Sequence, residues 1–242
     1  MQTAKIHIGT SGWHYHHWKG TFYPAEIKDS DQFALYAKTF NTVEINNSFY
    51  RLPLLKTFSE WRDAAPAGFI FAVKASRFFT HAKKLIPDKA GLQKFFNRVE
   101  RLHEKLGPVL FQLPPQWKIN VERLRLFLSE LPNGHRYTFE FRNATWYHDD
   151  VYRVLHDYNS AFCIYELGGH SSPLEVTADF VYMRLHGPGD KYQGSYSNND
   201  LNAWKKRCIH WQNEGKDVYI YFDNDQQGYA AFNAKTLLEM LR

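Results

Sequence analysis

Eight runs rich in β-branched and aromatic residues recur along the chain, and most are followed by a run of helical periodicity. They cover residues 5–11, 42–46, 69–76, 109–114, 137–143, 161–167, 180–187 and 218–225. Alternation sustained in this way predicts a parallel sheet, because strands that run the same way need a helix-length crossover between them. Eight such units predict an α/β fold, a single (β/α)8 TIM-like barrel. An open doubly wound sheet is the alternative, but GTSGW after the first run lacks the G-x-G-x-x-G of a dinucleotide fold. All 242 residues are read as one domain, since barrels of this size commonly form one unit.

Helical patterns fall at 29–40, 87–107, 120–131, 149–158, 198–212 and 229–241. The second has Pro87 at its front and Gly107 at its end, the usual asymmetry of a helix. The third aligns Val121, Leu124, Leu128 and Leu131 on one stripe. Residues 168–179, GGHSSPLEVTAD, read as a loop, so a helix is missing or very short after the sixth strand.

Sorting each strand at period two separates two faces. One face is apolar throughout, for example Val43, Ile45, Phe71, Val73, Phe139, Phe141, Met183 and Leu185. The other carries Glu44, Asn46, Lys74, Gln112, Glu140, Arg142, Arg184, His186 and Asp223. In a barrel the outer face packs under helices and must be the apolar one, so the polar set points into the lumen. Most of it falls late in the strands, at the C-terminal mouth where such barrels hold their active sites. Buried charges need partners. A closed structural network of Glu44 and Glu140 against Lys74, Arg142 and Arg184 is therefore the competing reading.

The formal net charge of +5 and pI of about 9.0 favour an anionic partner, although no Lys/Arg block marks a nucleic-acid tail. Lys74, Arg142 and Arg184 are expected to hold the anion. Glu44 or Glu140 is expected as general acid or base, with His186 as an alternate proton carrier. Trp13 and Trp146 are candidate stacking contacts, and Asn46, Gln112, Asp223 and Asn224 candidate polar ones. Gly187, Gly189, Gly194 and Gly228 lie in the loops after strands seven and eight, a frequent phosphate site on this fold.

No metal ligand is assigned. His14, His16 and His17 cluster on one loop, but three cations near the same mouth disfavour a divalent metal, and the cofactor is unknown. Glu44 and Glu140 lie on strands two and five, not where many barrel glycosidases place their carboxylate pair. No G-x-S-x-G elbow occurs. Cys163 and Cys208 have no metal or redox spacing, the N-terminus reads as no signal peptide, and no apolar run is long enough to span a bilayer. A cytoplasmic protein without membrane contact is expected.

The segments GTSGWHYHHWKGTFYP (9–24), FNTVEINNSFYRLP (40–53), FAVKASRFFTH (71–81), GPVLFQLPP (107–115), FEFRNATW (139–146), VYMRLHGPGDKYQGSY (181–196) and VYIYFDNDQQGYAAFNA (218–234) resemble, in order, the YecE-like family, domain of unknown function 72. The resemblance implies a TIM-like barrel and no established activity. Asp223 departs from it, since Asn is frequent there. The barrel is also distantly similar to the xylose-isomerase and endonuclease-IV group, but it has too few His and carboxylate side chains at its strand ends for a three-metal site. Two functions are carried forward. One is binding, with hydrolysis or cleavage, of a phosphate-bearing anion. The other is a non-catalytic nucleic-acid or metabolite binding module.

Overall fold

A computed structural model describes residues 3–242. All eight runs form strands: β1 (Ile6–Thr10), β2 (Thr42–Ile45), β3 (Ile70–Lys74), β4 (Leu106–Gln112), β5 (Tyr137–Glu140), β6 (Ala161–Leu167), β8 (Phe180–Leu185) and β9 (Asp217–Phe222). The two-residue strand β7 (His170–Ser171) pairs antiparallel with β6 and fills the connection where no helix was expected. The other strands are parallel neighbours in the order β1-β9-β8-β6-β5-β4-β3-β2.

The seam between β1 and β2 is closed by a parallel bridge from Ser11 to Glu44. A side chain from α1 (Gln32–Thr39) secures it. Tyr36 Oη accepts from the Thr10 amide at 3.0 Å and donates to the Thr42 carbonyl at 3.0 Å. Gly9 is required for this closure, because a Cβ there would stand 2.2 Å from the Thr42 carbonyl oxygen.

Between β2 and β3 lie α2 (Asn47–Tyr50) and α3 (Leu55–Ala64), a stretch to which the sequence pattern assigned no helix. The expected helix 87–107 is shorter than its periodicity. It runs as α4 (Lys89–Val99), capped by Asp88 accepting from the Gly91 amide, and then tightens into a 3-10 segment, Glu100–Lys105. Gly107 belongs to β4 and lets that strand approach β3, since a Cβ would meet Ile70 Cγ2 at 2.5 Å. The remaining helices are α5 (Val121–Ser129), α6 (Asp149–Asp157), α7 (Asn198–Asn213) and α8 (Tyr229–Met240).

The two faces separate as the alternation predicts. Val43, Ile45, Phe71, Val73, Val109, Phe111, Phe139, Phe141, Met183, Leu185, Ile220 and Phe222 join the helices in one large buried cluster. A second, smaller cluster fills the lower lumen with Ala72, Leu110, Ala161, Cys163, Phe180, Tyr182, Tyr219 and Tyr221. Side chains thus plug the barrel below, and its charged layer sits above that plug. Among the described residues, no helix is long and apolar enough to cross a membrane.

Candidate functional site

Arg184 is the hub of the charged layer. It projects from β8, is 1% exposed and reaches carboxylates from three other strands or strand ends. Nε and Nη2 donate to Glu44 at distances down to 2.8 Å, Nη1 donates to Glu140 at 2.8 Å, and Nη2 also reaches Asp223 at 3.1 Å. Glu44 is completed by Ser11 Oγ at 2.7 Å and Tyr182 Oη at 2.6 Å. Both oxygens of each buried glutamate are therefore engaged, which is what makes ionised carboxylates tolerable at zero exposure.

Arg142, just past β5, donates from Nε to Glu140 Oε1, stacks its guanidinium 4.8 Å from the Tyr165 ring centroid and donates from Nη2 to His186 Nε2 at 3.0 Å. Burial alone would raise the Glu140 carboxyl, but Arg142 and then Arg184 outweigh it and hold it well below the usual carboxylate range. Asp223 is also lowered: burial opposes the shift, while the His186 hydrogen bond and Arg184 prevail.

The surroundings of His186 fix its state. Nε2 faces guanidinium donors of Arg142 at 3.0 Å and Arg184 at 3.3 Å, so it accepts. The proton then belongs on Nδ1, which stands 3.0 Å from Asp223 Oδ2. The two guanidinium neighbours disfavour the imidazolium, and burial and then Arg184 lower its pKa.

Lys74 is different. Its Nζ lies 4.3 Å from the Phe49 ring centroid and, among the described residues, forms no ion pair or hydrogen bond. Burial, followed by Arg184, lowers its pKa to about 8 despite the pull of Glu140, Glu44 and Asp223. Beside the charged layer, Ser11, Gly12, Trp13, Tyr15, Asn46 and Asn47 line a cavity of about 230 Å³. Asn46 brings a buried Oδ1 that has no hydrogen-bond partner.

The structure brings Glu44, Glu140, Arg142, Arg184, His186 and Asp223 together, with Lys74 feeling the same charges. Gln112 is half-buried at the end of β4, in register with Glu140. Three expected ligand contacts are held inside the packed structure. Trp146 is fully buried, stacked on Phe141 with centroids 4.8 Å apart, and donates from Nε1 to the Trp117 carbonyl at 2.8 Å. Asn224 is also fully buried and ties the Gly194 carbonyl to Asn233 Oδ1 through Nδ2, both at 2.8 Å. Arg184 spends all three nitrogens inside the network. Trp13 keeps a mixed position: it packs edge-on against Phe33 and Trp61 and still lines the cavity.

The loop histidines do not converge. His17 pairs with Asp225 at 2.9 Å, His14 lies 3.7 Å from Asp29, and His16 is exposed. Among the described residues, no group of three or more His, Cys, Asp or Glu side chains has the arrangement of a metal site. The expected helix N-terminus after β9 is Gly228 at φ 79°, but Trp18 and Thr21 of the first loop lie against it. Sequence reasoning gave no role to Tyr182, Ser11 or His81, because nothing in the period-two pattern supplies their partners.

A family model, protein of unknown function DUF72, matches residues 7–242. The chain belongs to the DUF72 family. One DUF72 relative, UPF0759 protein YunF of Bacillus subtilis, is 29% identical over 98% of this chain and 94% of its own length. UPF0759 protein YecE of Escherichia coli K12 is 28% identical over 46% of this chain and 42% of its own length. Among solved structures, a DUF72 protein of Thermotoga maritima superposes with a TM-score of 0.89 at 27% identity, covering 98% of this chain and 99% of that one. A DUF72 protein of Enterococcus faecalis, at 20% identity over 98% of this chain and 95% of that one, shares the fold with a TM-score of 0.81.

Proposed function

We propose that the barrel mouth binds an anionic, phosphate-bearing small molecule and acts on it by hydrolysis or cleavage. One observation carries this reading: the buried carboxylates are all matched, yet cationic donors are left over. Among the described residues, Arg142 forms hydrogen bonds through Nε and Nη2 only, and the Lys74 amine engages no anion. A site built solely for structural neutrality has no use for a half-buried amine without a paired carboxylate. The cavity beside Ser11 and Glu44, with the unpartnered Asn46 oxygen, offers room and a polar contact for the rest of the ligand.

In this reading Glu140 and Glu44 act first by positioning, because both are saturated in the resting network, and His186 is the alternate proton carrier. Glu140→Gln separates the roles. Turnover lost with stability kept would assign Glu140 to proton transfer; stability lost in parallel would make it an anchor. The binding itself is tested by a thermal-shift screen of phosphorylated metabolites, nucleotides and inorganic phosphate. A ligand at a hundred times its Kd adds about 2.7 kcal/mol of stability. The response should vanish in Lys74→Gln and weaken in Arg142→Gln. A response unchanged in both would remove the reading.

A second reading, a non-catalytic nucleic-acid binder, has its own observation. The loops after β2 and β3 expose Tyr50 at 75% and Phe78 at 38%, beside exposed Arg51 and Arg77. Stacking faces interleaved with cations suit single strands. Binding of a generic single strand that falls steeply with salt, without product, would favour it.

A further inference from the structure

Strand β3 ends on Lys74, and what surrounds its amine is aromatic rather than acidic. Phe49 of α2 supplies its face at 4.3 Å. The edge of the same ring system is met by His81, with centroids 5.1 Å apart and planes at 84°. His81 sits in a π-helical turn, Phe78–Ala82, and its Nδ1 is held 2.9 Å from Thr80 Oγ1. Such turns are uncommon and concentrate at functional sites. Anchoring β3 does not account for the amine. Met would cover Phe49 equally well without holding a charge in a half-buried position.

We propose that Lys74 is a nucleophilic amine that forms an imine with the carbonyl carbon of an anionic aldehyde or ketone bound at the barrel mouth. The proposal rests on the anion-binding reading for its substrate class, but not for the amine chemistry. The neutral amine attacks the carbonyl carbon, a C–N bond forms, and the carbonyl oxygen takes up the proton that nitrogen gives up. The carbinolamine then expels its oxygen as water, leaving a C=N bond. Nothing is oxidised or reduced. A lysine desolvated next to another cation is the form in which this nucleophile is available near neutral pH. Burial and Arg184 supply that condition here, bringing the amine to about 8. His81, whose own pKa is lowered by burial and then by Arg77 and Lys74, remains neutral and would carry the proton between the carbinolamine and water.

The test uses the wild-type chain with two aldehyde probes, pyridoxal and pyridoxal 5′-phosphate, followed by borohydride reduction and peptide mapping. Lys74 is expected to be labelled ahead of the exposed lysines, with a rate that levels off at a pH of about 8. The phosphate form should label it at about tenfold lower concentration than pyridoxal, the difference one charge-assisted contact makes. Equal labelling by both probes supports the imine and overturns the anion-binding reading. Labelling of exposed lysines with Lys74 untouched overturns the imine. A Lys74→Arg variant with unchanged circular dichroism should lose the fast-labelling site; a fast phase that persists there would also overturn the proposal.

Discussion

Arg184 and Glu44 face each other across the lumen from β8 and β2, joined by Nε and Nη2 donating to both carboxylate oxygens at 2.8–3.2 Å. The two strands are not neighbours in the sheet, so this pair ties together opposite parts of the barrel wall. Removing one partner strands the other in a dry site. Arg184→Met is expected to cost about 3–5 kcal/mol, measured by urea denaturation. Adding Glu44→Gln and Glu140→Gln should recover part of that loss. A single variant within 1 kcal/mol of wild type (about the level of an exposed pair) would show the network to be solvated.

Gly9→Ala tests barrel closure. The new Cβ would meet the Thr42 carbonyl oxygen at 2.2 Å and Tyr36 Oη at 3.0 Å. The seam must open or β1 must shift, with an expected loss of about 1–3 kcal/mol in thermal or denaturant unfolding. Gly134→Ala is the comparison: a Cβ there meets nothing within 4 Å, and only its φ of 87° penalises it.

Stability should fall on the acid side in two stages. His7, at the closed bottom of the lumen, stacks on Tyr219 at 4.8 Å and is lowered to about 4 by burial, with Asp217 opposing and Lys5 and Arg136 assisting. The unfolded chain binds this proton below about pH 6.5 and the folded one does not, so stability drops as pH falls from about 6.5 to 4, by roughly 3 kcal/mol. His186 is lowered too and adds to the same limb. Glu140 and Asp223, depressed in the fold, contribute stability that is full above their unfolded values near 4 and lost as pH falls below them. His7→Phe should flatten the first stage and leave the second, as read from unfolding curves between about pH 3 and 8.

Both cysteines are free and fully buried, and burial pushes the Cys163 thiol far up and the Cys208 thiol to about 12. Thiolate is the reactive form. The native chain should therefore leave a chromogenic disulfide reagent unreacted at neutral pH, and both thiols should react in denaturant. Fast reaction of either thiol in the native state would place it at the surface.

The alternation of Phe139 and Phe141 with Glu140 and Arg142 has only two solutions, and eight strands together leave one. The apolar face must lie under helices, so the charges point inward. That argument located the barrel, its polar mouth and the residues of the charged layer. It did not locate α3, where sparse apolar spacing hid the helix, or the early stop of α4, where the chain tightens before β4. The sequence places Trp146 and Asn224 at the mouth, because residues just beyond a strand look alike whether they face the mouth or turn under it. Trp117, 29 residues from Trp146, and Gly194, 30 residues from Asn224, supply the carbonyls to which the two side chains donate.

By itself, then, the sequence determined which side chains share a face, because period two is a local property of extended backbone. The tertiary structure alone decided how the charges pair. Arg184 can reach Glu44, Glu140 and Asp223 only when strands separated by up to 140 residues close into a ring. That closure consumes Arg184, lowers the pKa of His186, and leaves Lys74 over Phe49 without an ion pair among the described residues.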